Sequence, residues 1–202
     1  MSTDRKPGGY GTAALVALVL LAGGSVWGYL YWRKERIKRN ELNATAALKV
    51  IVMAETDFRS NDRDENRVND FWTGDVAGLY FLVPLRGAPT PIKLIERALA
   101  EADPTRPGAR PFQGYWFRAM DTDDVGDPYR TDTGGDGSTG AKDRNCSKFG
   151  FCAYPADYPR SGRWTYIVNE GNTILKRDSG GKPILRFPRD PNLKEDYTGG
   201  HE

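Results

Sequence analysis

The 202-residue sequence predicts an α+β protein. A long N-terminal helix, transmembrane in its first half and amphipathic in its second, packs on a small antiparallel sheet. Three observations lead there. Residues 13–32 carry no charged side chain. Apolar residues between 33 and 59 recur at helical spacing, and from Gln113 onward the apolar period drops to two with no helical stretch between successive runs.

Residues 1–12 form a short N-terminal segment. The run 13–32 is long enough, at about 1.5 Å per residue, to cross the ~30 Å hydrocarbon core of a bilayer. Tyr29, Tyr31 and Trp32 at its end suit the headgroup zone. Ala22, Gly23, Gly24 and Ser25 could close a cleaved signal peptide, but the apolar character continues through Val26, Trp27 and Leu30, so an uncleaved single-pass anchor is the preferred reading. Gly24 and Gly28 lie four apart, the spacing that lets a second helix approach closely. Arg33, Lys34, Arg36, Lys38 and Arg39 follow and are attracted to the anionic surface of a lipid bilayer.

Residues 33–60 continue the anchor as an amphipathic helix. Ile37, Leu42, Leu48, Ile51, Val52 and Phe58 fall near one face, with Thr45 and Glu55 interrupting the stripe at the same spacing. A rod this long needs a sheet or partner helices to cover the stripe. Residues 61–190 form the one soluble domain such a length can support, and 191–202 a flexible tail. Thr90 before Pro91 reads as the start of a short helix reaching about Ala102. Strands are expected over 114–120, 148–154, 163–169 and 172–177, and a fifth over 184–187, with a hairpin turn at Asn169–Asn172. Tyr115, Phe117, Phe149, Phe151, Trp164 and Tyr166 recur at strand spacing and read as the core of the sheet. The connection 121–145 is almost devoid of apolar side chains and reads as functional or mobile.

Composition narrows the chemistry. The net charge of +2 hides a basic first fifth and a slightly acidic remainder, which leaves no basic domain to hold nucleic acid. The one histidine, His201, sits in the tail, so Ser-His-Asp, Cys-His and His-zinc arrangements are missing and no enzyme is expected. Asp62, Asp64, Asn66, the Val68 carbonyl and Asp70 fall at every second position, as in loops that wrap calcium. Arg67 stands where such loops turn on glycine, and Thr73 where they place a glutamate, so a solvated turn closing the long helix is the preferred reading. The run Asp121, Asp123, Asp124, Asp127 is a weaker candidate for a divalent ion, a hydrated acidic loop being the alternative. Cys146 and Cys152 could form a local disulfide in an oxidising compartment or remain two separate thiols.

A long helix feeding a small antiparallel sheet resembles the plan of type IV pilins and pseudopilins. The stretches AALKVIVMAETDFRSNDRDENRVNDFWTGDVAGLY, GYWFRAM and FGFCAYPADYPRSGRWTYIVNEGNTI look like those of a bacterial family of pilin-like, membrane-anchored extracytoplasmic proteins of unknown function. The resemblance implies a pilin-like fold and a C-terminal domain outside the cytoplasm. It also implies a structural or accessory role, in contact with other pilin-like or secretion-system subunits. Gly9-Tyr10 mimics a prepilin cleavage site, but Ala14 stands where prepilins carry the glutamate used in assembly, which favours an unprocessed, non-polymerising anchor. Counting flanking Lys and Arg favours the opposite orientation; the long matched motifs are given precedence. A calcium- or ligand-binding extracytoplasmic sensor is the alternative.

Overall fold

The computed structural model describes residues 10–86, 89–131 and 143–189, with side chains described from Trp27 onward. Helix α1 (Tyr10–Ser60) is followed by β1 (Phe71–Trp72), the one-turn helices α2 (Gly78–Phe81) and α3 (Arg97–Ala100), then β2 (Tyr115–Ala119), β3 (Arg144–Asn145), β4 (Gly150–Pro155), β5 (Thr165–Asn169) and β6 (Leu175–Arg177). Strands β2-β4-β5-β6 form a four-stranded antiparallel sheet, and β1-β3 a separate two-stranded one.

The second half of α1 is the spine of the domain. Ala44, Ala47, Leu48, Ile51, Glu55 and Phe58 are buried, a run of helical periodicity that covers one face. The small Ala44 and Ala47 let the helix lie close to the strands, while the β-branched Ile51 and Val52 gain from packing what they lose in helix propensity. The helix stops where Asp62 takes a left-handed conformation at φ 45°. This turns the Arg63 N–H back onto the Phe58 carbonyl at 3.1 Å and satisfies a terminal acceptor. Leu42, expected on the buried stripe, is instead 61% exposed.

The four-stranded sheet has two covered faces. Tyr115, Phe117, Phe151, Tyr166 and Val168 alternate onto α1 and join Phe149, Phe71 and Phe58 in the main core. The opposite face carries Cys152 and Ile167, roofed with Met120 and Tyr129 by Ile184 and Phe187. That roof is the segment expected as a fifth strand. It makes an isolated parallel bridge, Thr122 with Arg186, and its backbone bonds to Asp121 and Thr122 just past the end of the edge strand β2. The β5–β6 turn closes with Asn172 N–H on the Asn169 carbonyl at 2.9 Å and Asn172 at φ 56°.

Two expectations are corrected. Among the described residues no helix is long and apolar enough to cross a membrane. The α+β class therefore stands without the transmembrane helix predicted for 13–32, and the single-pass membrane description falls with it. Residues 13–26 of that run lie outside those whose side chains are described. The helix expected from Thr90 is also much shorter. Lys93 adopts φ 51°, and Ile92, Lys93 and Leu94 donate their N–H groups to Leu82, Tyr80 and Leu79, so this stretch is extended against α2 and only Arg97–Ala100 is helical.

Candidate functional site

The turn after α1 is the densest polar cluster of the domain. Each of its expected calcium ligands bonds to a group of the protein itself. Asp62 accepts the N–H groups of Asn66 at 3.1 Å and Arg67 at 3.0 Å. The Asn66 side-chain amide donates to Asp64 Oδ2 at 3.0 Å and Asp70 Oδ2 at 3.2 Å, while its Oδ1 accepts Val68 N–H at 2.6 Å. The Val68 carbonyl accepts Asp70 N–H at 3.0 Å. The cation at the centre is Arg144, brought from β3. Its Nη2 lies 2.7 Å and its Nε 2.8 Å from Asp64 Oδ2, and Nε lies 3.8 Å from Asp70 Oδ1.

Asp64, Asp70 and Arg144 are all buried. The guanidinium also stacks 4.2 Å from the centre of the Trp72 ring and 5.5 Å from that of Phe58. Among the described residues no group of His, Cys, Asp and Glu could hold a metal ion. Of the residues expected to hold calcium, Asp64 and Asp70 face Arg144, and Asp62, Asn66 and the Val68 carbonyl bond within the turn. The alternating acids were legible in sequence. Arg144, about 80 residues further along, left no signal of its own.

Glu55 borders this cluster from α1 and is fully buried. Its Oε2 accepts the backbone N–H of Trp72 at 2.9 Å, and its Oε1 has no hydrogen-bond partner among the described residues. Burial drives the Glu55 proton affinity well above the usual carboxylate range, and the Trp72 N–H and Arg144 only partly offset it. Burial likewise raises the pKa of Asp64, against the opposing pull of Arg144. The sequence signal for Glu55 was its place within the apolar stripe of α1.

The acidic run after β2 is a structural cap. Asp123 Oδ1 accepts the N–H groups of Val125, Gly126 and Asp127 at 3.1, 2.9 and 2.8 Å, and Oδ2 lies 2.5 Å from Lys148 Nζ. Burial pushes the Asp123 pKa up, but the Lys148 ammonium and the backbone donors outweigh it, so the carboxyl titrates below its ordinary value. Cys146 is exposed and Cys152 buried in the outer layer, both as free thiols, the second of the two arrangements the sequence left open. Burial pushes the Cys152 thiol up to about 12. Gly28 has open space around it, and Gly24 lies outside the residues whose side chains are described.

A second exposed surface is formed by the described N-terminal part of α1. The first ties between helix and sheet are Asn40 Nδ2 on the Ser161 carbonyl at 2.9 Å and the Glu41 carboxylate accepting Arg163 N–H at 3.0 Å. Before them Trp27, Tyr29, Tyr31 and Trp32 are 57–76% exposed, and beyond them Leu42 and Met53 remain outward. Over residues 27–36 the domain leaves this helix uncovered.

A protein family described as "Protein of unknown function (DUF2950)" matches residues 28–187. No curated protein and no solved structure matches the chain.

Proposed function

We propose that this chain, which belongs to the DUF2950 family of proteins of unknown function, is a non-catalytic structural or interaction component of a bacterial extracytoplasmic assembly. One observation carries the reading. Helix α1 serves as the core of its own domain from Ala44 onward, while ahead of Asn40 it presents Trp27, Tyr29, Leu30, Tyr31 and Trp32 to solvent. Large aromatic side chains clustered on a projecting helix mark a surface that another macromolecule covers. The polar clusters of the domain support the same reading, since the carboxylates of Asp64 and Asp123 are each engaged by an internal cation.

The role is tested on the full chain by light scattering coupled to gel filtration and by chemical cross-linking. Self-associated species are expected at micromolar concentration and should revert to monomer when Trp27, Tyr31 and Trp32 are replaced by Gln. A full chain that stays monomeric at about 100 µM, and whose elution is unchanged by those replacements, refutes assembly through α1.

A further inference from the structure

We infer that the β1–β3 unit is a proton-held latch on α1, released as the pH rises when Glu55 ionises. Two buried carboxyl groups, Asp64 and Asp70, converge here on the guanidinium of Arg144, and a third, Glu55, lies within its electrostatic reach. Arg144 is drawn to Asp64 at 2.7 Å, and Asn66 bridges Asp64 to Asp70. Glu55 thus reaches β1 through one contact, the Trp72 N–H on its Oε2, and its Oε1 has no partner among the described residues. A neutral carboxylic acid tolerates that environment. An ionised one with a single donor does not.

On balance the surroundings favour the protonated form. On α1 itself the neighbouring cation Arg59 is turned outward, over the Phe71 ring at 5.0 Å. From the loop come Asp64 and Asp70, and from β3 comes Arg144. Ahead of α2, Asp75 accepts Trp72 Nε1–H and Gly78 N–H. Strands β4 and β5 bring Phe151 and Val168 to the shared core, while Lys148 and Glu170 at their ends bond Asp123 and the Phe149 N–H. Asp70, of the same sign as an ionised Glu55, adds to the effect of burial; Arg144 opposes both.

The release follows from the mechanics of the fold. Because α1 is a continuous helix packed on the large sheet, ionised Glu55 reaches water only if β1 moves. Strands β1 and β3 have two residues each, so their own pairing gives little local stability. Opening would uncover Phe58, Phe71 and Trp72 beside Arg144. The sign is that of a group with raised folded-state proton affinity. Its stabilisation is complete below the ordinary glutamate range and is lost as pH climbs through the folded-state value.

Hydrogen exchange by mass spectrometry on the full chain, from pH 6 to 9 and corrected for intrinsic rates, tests the latch. Protection of the Trp72 and Thr73 amides should fall at least tenfold across this range while the β4 and β5 amides keep theirs. Glu55→Gln should hold the pH 6 protection at every pH. Glu55→Met, which removes the acceptor as well as the proton, should give lower but equally pH-independent protection. Flat protection in the wild type, or pH dependence persisting in either variant, overturns the inference.

Discussion

Replacing Arg144 by Met isolates the energetics of the turn after α1. The substitution keeps an unbranched apolar side chain beside Trp72 and Phe58 but removes the cation, leaving Asp64 and Asp70 buried without it. Breaking a buried pair by removing one partner costs about 3–5 kcal/mol, because the remaining charge has lost its compensation. An exposed pair such as Arg163 with Asp178 contributes only about 0.2–1 kcal/mol. A domain of this size is stable by roughly 5–15 kcal/mol, so the loss is a large share of the total.

With a urea m-value near 2 kcal/mol/M, a loss of about 4 kcal/mol lowers the denaturation midpoint by about 2 M. The loss should shrink as pH falls toward 4, because the stranded carboxylates then take up protons. Adding Asp64→Asn to Arg144→Met should recover part of it by removing the orphaned charge. Neither calcium nor chelator should move the wild-type midpoint, since Arg144 holds the carboxylate a metal would need. A midpoint shift below about 0.3 M for Arg144→Met, or a wild-type midpoint that falls on chelation, would refute the internal-cation account.

Two further outcomes follow from the same geometry. The folded-state pKa of Asp123 is depressed, so its stabilisation is present above the ordinary aspartate range and lost as pH falls through the lower folded value. Asp123→Asn should therefore cost stability at pH 7 and little below pH 3, as read by thermal melts across pH; an equal cost at both would point to packing instead. A thiol reagent under native conditions should label Cys146 within minutes and spare Cys152 until the protein unfolds. Equal labelling of both would show that the Ile184–Phe187 roof does not cover the outer sheet face.

Periodicity alone was enough to outline the α1 stripe, the aromatic strands β2, β4 and β5, and the Asn169–Asn172 turn. These depend on residues close in sequence, whose side chains must alternate or recur to reach one face. The same logic overreached at Leu42, which shares the helical spacing but points outward, and at 92–96, where contact with α2 overrides local helix signals. It also overreached at 13–32, where a chargeless run was read as a bilayer span although no described helix can cross a membrane.

What the sequence determined by itself was the α+β class, the aromatic core and the lack of histidine-based chemistry within the domain, because composition and short-range pattern carry those. Tertiary structure decided the rest. It placed Arg144 in the acidic turn that spacing alone had matched to calcium. It buried Glu55 beside Asp70, separated Cys146 from Cys152, and laid Ile184 and Phe187 over the outer face of the sheet. Each of these depends on which distant residue fills a given volume, and burial then sets whether a carboxylate meets a cation, a proton or an N–H. Spacing along a chain holds no record of that choice.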